Sequence, residues 1–244
     1  MYNFFAQFYD ELSLNVEYEK RARYFDELIN EFGIGRGILL DLACGTGTLS
    51  FEMEKLGYDV IGTDLSDEML DEAIKKKLEI NSSAIFLNQD MTELDMFGTV
   101  SSTICSLDSV NHLDSLEKVE KTFGKVSLFT EPGGVFIFDV NTSYKHTEIL
   151  GDNAFVFENE DCFLAWQNEV EEDKSVNMYL DFFIPNGEGY SRESEFIKEY
   201  FYSDEELETA LNKSGLEVCA VYDDLSKSKP HQKSERKIFV ARKI

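Results

Sequence analysis

The sequence has little positive charge. Its 244 residues include 23 lysines and arginines against 48 aspartates and glutamates, which gives a formal net charge of −25. An excess of carboxylates repels phosphate groups, so the composition argues against general nucleic-acid binding and against docking on an anionic membrane. We therefore expect neither nucleic acid nor membrane as a partner, although acidity by itself identifies no substrate.

Cysteine, histidine and long apolar runs are also scarce. The four cysteines are far apart in the sequence, and no two of the three histidines have the spacing of paired metal ligands. We therefore expect reduced thiols and no metal site. No apolar run approaches the ~18 residues of a membrane span, and the first residues lack the basic start of a secretory signal. These absences predict a cytoplasmic protein.

The strongest motif that is present is the stretch from Gly37 to Ser50, GILLDLACGTGTLS. Three apolar residues lead into Asp41, and Gly45 and Gly47 precede a helix-compatible run. This pattern is typical of a buried parallel strand, a tight turn and a helix start. Glycine adopts positive φ without penalty and lets a ligand lie against bare backbone. The stretch therefore predicts a nucleotide-type site.

The first 141 residues repeat this alternation of strand and helix. Strands are predicted at about 37–42, 58–63, 84–87, 100–107 and 135–140. Helices are predicted at 48–56, at 67–78 and, from a capping box at Asp114 and Glu117, to about 129. Acidic residues end or follow these strands, namely Asp41, Asp64, Asp90, Asp108 and Asp139. Such alternation indicates a doubly wound parallel sheet with ligands beyond the carboxyl ends of its strands.

Two regions depart from this pattern. Aromatic residues at helical spacing predict two amphipathic helices within residues 1–32. Apolar and polar residues alternate over about 152–202, which predicts an inserted antiparallel β subdomain. A capping box at Ser203 and Glu206 and two closing strands follow. We therefore expect a single α/β domain over 1–244, with a doubly wound, mostly parallel, seven-stranded Rossmann-like sheet.

The motifs together suggest a family. Asp41-x-x-Cys44-Gly45-x-Gly47, with Asp64 after the second strand and Asp90 after the third, resembles the class I S-adenosylmethionine-dependent methyltransferases. The segments CSLDSVNHL and PGGVFIFDVNT and the hairpin insertion resemble the small-molecule branch that contains sugar-amine and glycine N-methyltransferases. A nicotinamide-binding Rossmann domain is the main alternative, but its G-x-G-x-x-G pattern is absent.

The resemblance implies S-adenosylmethionine as the cofactor and assigns residues to it. Gly45 and Gly47 are expected to admit its methionine end, and Asp41 to orient that loop. Asp64 is expected to accept hydrogen bonds from the ribose hydroxyls, and Asp90 from the adenine amine. The remaining expected contacts are Tyr9, Tyr18, Ala43, Leu65, Met69, Gln89, Met91, Leu107 and Asp108. Helix capping by Asp64, and core packing by Met69 and the tyrosines, are the structural alternatives.

On the acceptor side, His112 is the candidate catalytic base because an imidazole can take a proton from an incoming ammonium group. A structural histidine is the alternative, and His146 and His231 show no surrounding motif. Arg21 or Arg23 is expected either to pair with the cofactor carboxylate or to be a surface residue. The basic cluster from Lys227 to Lys237 either steers an anionic acceptor or is a solvated hairpin.

The resemblance predicts in-line methyl transfer to an amine or hydroxyl of a small molecule. The helices of residues 1–32 are expected to form a lid over the cofactor. Two alternatives are a sensor that binds the cofactor without turnover and a methyltransferase that acts on a macromolecule. The sequence predicts neither the acceptor nor the oligomeric state.

Overall fold

The computed structural model describes residues 5–13 and 16–244. Residues 1–4 and 14–15, which the predicted lid includes, lie outside the described residues. Two helices precede the first strand, as the aromatic spacing predicts: α1 (Phe5–Leu12) and α2 (Tyr18–Phe32). The alternating region follows as β1 (Ile38–Leu42), α3 (Thr48–Lys55), β2 (Asp59–Asp64), α4 (Asp67–Ile80), β3 (Ile85–Asn88), β4 (Val100–Cys105), α5 (Leu116–Phe129) and β5 (Thr130–Asn141).

The second half of the chain contains the predicted antiparallel strands and the closing elements. A π-helical turn at Lys145–Leu150 leads into the first of them. The elements are β6 (Ala154–Glu158), β7 (Phe163–Val170), β8 (Val176–Asn186), β9 (Gly189–Glu199), α6 (Asp204–Lys213), β10 (Leu216–Asp223) and β11 (Arg236–Lys243).

The main sheet has seven strands in the order β10-β11-β5-β4-β1-β2-β3. Strands β1 to β5 pair in parallel, whereas β11 runs antiparallel to both β5 and β10. The chain order reverses between β1 and β4, so the carboxyl ends of these two strands border the crevice where such sheets bind ligands. The predicted fold class is confirmed.

Helices cover both faces of this sheet. Phe123 of α5 and Leu207 of α6 pack with Phe138 on one face, while Phe25 of α2 and Leu49 of α3 pack on the other. All six residues of β4 are buried, as expected for a strand with helices on both sides. The core therefore holds the central strand ends rigidly at the ligand-binding edge.

The four antiparallel strands form a separate sheet in the order β6-β7-β8-β9. Its inner face has its own apolar cluster, which includes Leu164, Met178 and Phe182. Phe8 of α1 joins this cluster and stacks on Phe182, with ring centroids 6.1 Å apart. Helix α1 therefore connects the antiparallel sheet to the rest of the fold.

Two local predictions need correction. Helix α5 is capped by Ser115, whose Oγ accepts a hydrogen bond from the Lys118 amide at 3.4 Å, and not by Asp114. Strand β5 begins at Thr130 rather than 135, because Thr130 already pairs with Val100 of β4, before a register shift after which Val135 pairs with Ser102. The Ser203–Glu206 capping box is confirmed. Among the helices of residues 5–13 and 16–244, none is long and apolar enough to span a bilayer.

Candidate functional site

The turn between β1 and α3 forms the floor of the crevice. Gly45 and Gly47 both have positive φ, 55° and 73°. A Cβ on Gly45 would meet no atom within 4 Å, whereas one on Gly47 would lie 2.8 Å from the Phe86 ring. Gly45 therefore leaves space for a ligand, while Gly47 is needed for packing against β3.

Asp41 lies at the end of β1 beneath this turn. Its side chain is buried, and one carboxylate oxygen accepts a hydrogen bond from the Ser50 hydroxyl at 2.5 Å. Burial raises the pKa of Asp41 to about 7, although the Ser50 bond opposes this effect. A small cavity adjoins Asp41, and it is lined by Tyr9, Tyr18, Ala43, Cys44, Gly45, Thr46, Thr48, Leu49, Ser106, Leu107 and Ser109.

Asp64 lies at the end of β2, beside the glycine turn. Its two carboxylate oxygens accept hydrogen bonds from the amides of Gly45 at 2.8 Å and Ser66 at 2.9 Å. Burial nevertheless raises the pKa of Asp64. Leu65 next to it is 62% exposed and offers an apolar surface. Met69 is buried and its amide donates to the Ser66 hydroxyl, so this residue packs within α4.

The residues after β3 form a short turn. Asp90 accepts a hydrogen bond from the Thr92 amide at 2.7 Å and caps the 3-10 turn Met91–Glu93. The side-chain amide of Gln89 donates to the backbone carbonyl of Asp95, and its oxygen accepts from the Asp95 amide. Asp90 thus lies at the expected edge, while the polar groups of the Gln89 side chain close the turn.

Helix α1 lies against the glycine turn through Asp10. The Asp10 carboxylate accepts hydrogen bonds from the hydroxyls of Thr46 at 2.7 Å and Thr48 at 3.0 Å, and pairs with Lys76 at 2.6 Å. Tyr18 of α2 lines the cavity, and burial raises its pKa to about 12. Its hydroxyl therefore stays protonated at neutral pH and can donate a hydrogen bond to a ligand.

The segment after β4 borders the same cavity and is held by Asp139. Leu107 and Asp108 have positive φ, and their amides donate to the carboxylate of Asp139. Arg21 is buried and pairs with Asp139 and Asp224, so the surface alternative for Arg21 is wrong. Sequence analysis assigned Asp139 no role beyond its place at a strand end.

The basic cluster near the C-terminus is largely engaged in ion pairs. Arg236 pairs with Asp108 and Asp139 beside the crevice. Lys237 pairs with Asp204, and Lys227 pairs with Glu31. These three cations are therefore structural partners of acidic residues rather than an open attractive patch for an anionic acceptor.

His112, in a 3-10 turn at Ser109–His112, adjoins two carboxylates. One polar side-chain atom from each of Asp108, His112 and Glu199 lies within 4.8 Å of the other two. A single atom between them can therefore lie about 3 Å from all three, which is hydrogen-bonding distance. Divalent cations use the same ligand types, but each carboxylate here already has a cationic partner, so we assign no metal.

Glu199 belongs to a buried ion pair that the sequence did not suggest. His146 is fully buried, with Nδ1 2.8 Å from the Lys174 carbonyl and Nε2 3.0 Å from Glu199. Burial would raise the pKa of Glu199, but the hydrogen bond from His146 and the charges of His112 and His146 lower it to about 2. The pair explains why a buried carboxylate remains ionised beside His112.

The crevice suits a cationic ligand that carries hydroxyl groups. Among the described residues, no cationic side chain forms a salt bridge with Asp41 or Asp64, and the space above Gly45 is open. Lone pairs of Asp64 that are not used by backbone amides can accept hydrogen bonds from hydroxyls. A positive charge near these acids would favour their ionised forms.

The chain is similar to known methyltransferases over its whole length. A family model described as a methyltransferase domain matches residues 39–134. A putative methyltransferase of Bacillus subtilis is 35% identical over 100% of this chain and 97% of its own length. An N,N-dimethyltransferase of Streptomyces venezuelae, named for a dTDP-linked amino sugar, is 26% identical over 85% of this chain and 86% of its own.

A solved structure agrees with this assignment. The crystal structure of an S-adenosylmethionine-dependent methyltransferase from Clostridium acetobutylicum superposes with a TM-score of 0.89 at 33% identity. The match covers 99% of this chain and 98% of that one. The chain therefore belongs to the class I S-adenosylmethionine-dependent methyltransferases, and its cofactor is S-adenosylmethionine.

Proposed function

We propose that this methyltransferase acts on a small molecule, at an amine or a hydroxyl, and that His112 accepts the proton of the acceptor group. The observation that carries this proposal is the convergence of Asp108, His112 and Glu199. In its neutral form His112 adds a third hydrogen-bond acceptor to the two carboxylates. Three acceptors around one point suit a group with several N–H donors, so an amine fits better than a hydroxyl. The name of the Streptomyces relative, which refers to an amino sugar, supports the same choice.

The cofactor supplies a methyl group that its sulfonium sulfur makes electrophilic. The residues of this chain then have to align the acceptor behind that methyl group and exclude water. Proximity and orientation of this kind lower a barrier by roughly 7–11 kcal/mol. His112 takes the proton as the N–H bond of the acceptor breaks and leaves its electron pair on nitrogen. Asp108 and Glu199 hold the same nitrogen by hydrogen bonds.

We also propose that residues 1–244 act as one domain in which the lid of residues 1–32 and the insertion of 152–202 enclose the acceptor. Two contacts support this arrangement: Asp10 on the glycine turn and Phe8 on Phe182. Free thiols at all four cysteines suit the cytoplasmic location that the sequence predicts. A nucleic acid or a membrane remains disfavoured as a partner by the net charge.

The experiment is a screen of amines and hydroxy compounds for release of S-adenosylhomocysteine by the purified full chain. We expect turnover with a small amine. H112N should lower kcat on that amine by about 10²–10⁴ and leave the affinity for S-adenosylhomocysteine unchanged, whereas H231N, at an exposed histidine, should change neither. Cofactor binding without turnover on any acceptor class would favour the sensor. Turnover only on a macromolecule would favour a methyltransferase that acts on a macromolecule.

A further inference from the structure

Asp139, near the end of β5, is a fully buried carboxylate that receives hydrogen bonds from several segments. One oxygen accepts from the Ser106 hydroxyl and the Leu107 amide, both at 2.9 Å. The other accepts from the Asp108 amide at 2.8 Å and from Arg236. Asp139 thus joins β5 to the whole segment that follows β4.

The segment that Asp139 holds has an unfavourable backbone conformation. Leu107 and Asp108 are consecutive non-glycine residues with φ of 59° and 57°. Left-handed conformation costs roughly 1–2 kcal/mol per residue, so such a pair persists only where the surroundings impose it. Because the carboxylate of Asp139 accepts from both amides, it is the group best placed to impose this conformation.

Two arginines pair with Asp139. Arg21 of α2 lies 3.2 Å from one oxygen, and Arg236 of β11 bonds the other. Arg236 also pairs with Asp108, and Arg21 with Asp224. A buried carboxylate requires such cationic partners. The conformation of the segment after β4 therefore depends on a network that also fixes a helix of the predicted lid.

The segment borders the part of the crevice that suits the amino-acid end of the cofactor. The ends of β3, β2, β1 and β4 are neighbours in the sheet, so this edge spans about 14 Å at ~4.8 Å per strand spacing. If the ribose lies at Asp64 and the adenine toward Asp90, the amino-acid end extends toward β1 and β4. The cavity there is lined by Ser106 and Leu107.

We propose that Asp139 is a positioning residue for the methionyl half of S-adenosylmethionine: it fixes the backbone of Leu107 and Asp108 as the wall of that cavity. This role rests on the cofactor of the family and not on the identity of the acceptor. It predicts that loss of Asp139 weakens recognition of one half of the cofactor while the other half is still recognised.

The experiment compares two ligands by calorimetry on the full chain. S-adenosylhomocysteine contains both halves, whereas 5′-methylthioadenosine keeps adenine, ribose and sulfur but lacks the amino-acid end. We expect D139N to lower the affinity for S-adenosylhomocysteine about thirtyfold, which is the effect of one poorly satisfied buried group. The affinity for 5′-methylthioadenosine should fall by less than about threefold. D64N, at the proposed ribose contact, should instead lower the affinity for both ligands.

Two controls separate this role from general damage. D181N breaks an aspartate–arginine pair on the antiparallel sheet, Asp181 with Arg192, and should change neither affinity. If D139N does not fold, amide hydrogen exchange in S106A provides the second measurement. Loss of the hydrogen bond from Ser106 to Asp139 should speed amide hydrogen exchange at Leu107 and Asp108. It should lower the affinity for S-adenosylhomocysteine but not for 5′-methylthioadenosine. An equal loss of affinity for both ligands, or no loss for either, would overturn the proposal.

Discussion

The cofactor crevice and the acceptor side both contain buried carboxylates, but their charges are balanced in different ways. Asp41 and Asp64 in the crevice have no salt bridge among the described residues, and burial raises the pKa of both. Glu199 is similarly buried, yet its pKa is lowered to about 2 because of His146 and His112. The proposed acceptor side is charge-balanced by the chain, whereas Asp41 and Asp64 in the crevice lack a paired cationic side chain in the part of the chain that the structure describes and suit a positively charged ligand.

This difference assigns separate tasks to the two regions. A preformed ion pair on the acceptor side fixes geometry before any ligand arrives. Unpaired acids in the crevice make cofactor binding responsive to charge and pH, because a cationic ligand favours ionisation of both acids. Substitutions in the His146–Glu199 pair should therefore affect mainly folding, while substitutions of Asp41 and Asp64 should affect mainly binding.

The largest effect is expected from breaking the His146–Glu199 pair. H146Q should lower the free energy of unfolding in urea by about 3 kcal/mol, since it leaves a buried carboxylate without its cation. The same substitution at His231, whose side chain is 64% exposed, is the matched control and should cost less than about 0.5 kcal/mol. Equal losses at the two positions would contradict the comparison.

The pH dependence of this difference follows from the two pKa shifts. Glu199 has a lowered pKa. Its contribution to the free energy of unfolding is therefore complete above its ordinary pKa of 4.5 and is lost as pH falls toward 2. His146 has a raised pKa, so its contribution is complete below 6.5 and is lost as pH rises through its folded value. The difference in free energy of unfolding between the parent protein and H146Q should therefore be largest between about pH 4.5 and 6.5.

A smaller effect is expected from the unpaired acid at the proposed ribose contact. D64N should lower the affinity for S-adenosylhomocysteine about a hundredfold, because hydrogen bonds to a charged acceptor contribute about 1.5–3 kcal/mol each. A smaller loss of stability should accompany this, since Asn can accept a hydrogen bond from only one of the two amides, Gly45 and Ser66, that bond Asp64. D59N is the matched control, as Asp59 is exposed at the other end of β2. A change of less than twofold in D64N would refute the ribose assignment.

Sequence reasoning succeeded where the information is local or repeated. Strand and helix periodicity predicted the seven strands of the main sheet and the helices between them. Because the carboxyl ends of parallel strands meet at one edge of a sheet, Asp41 and Asp64 could be assigned to the crevice in advance. The helix start at Ser115 was missed by one residue because Asp114 is an equally good cap by type.

The residues that sequence reasoning missed are defined by distant contacts. Asp139 bonds amides more than thirty residues away, and His146 is 53 residues from Glu199. Neither separation leaves a periodic pattern. One signal was available at Asp139, because an acid inside the apolar run FIFDV must be buried, and a buried acid needs donors or cations.

A more modest effect is expected from pH acting on Asp41. Its pKa of about 7 means that the free protein carries a proton there at pH 6, which it must release when a cationic ligand binds beside it. The affinity for S-adenosylmethionine, whose sulfonium is cationic, should therefore rise about tenfold from pH 6 to pH 8, mostly below pH 7. Calorimetry on D41N, which lacks the titrating group, should give a nearly flat profile. Parallel profiles for the two proteins would assign the dependence to another group.

The smallest effect is expected where α1 meets the glycine turn. Asp10 and Lys76 are paired but partly exposed, with 43% and 26% of their side chains accessible, and such pairs contribute about 0–1 kcal/mol. K76M should therefore speed release of S-adenosylhomocysteine only about two- to fivefold, as measured by stopped-flow competition. K75M is the matched control, because Lys75 pairs with Glu72 on the same helix. High salt should abolish the difference, since exposed charges are screened whereas the buried His146–Glu199 pair is not. A K76M effect that persists in high salt would mean that α1 is held by packing, and the contrast between an ionic lid and a rigid acceptor side would fail.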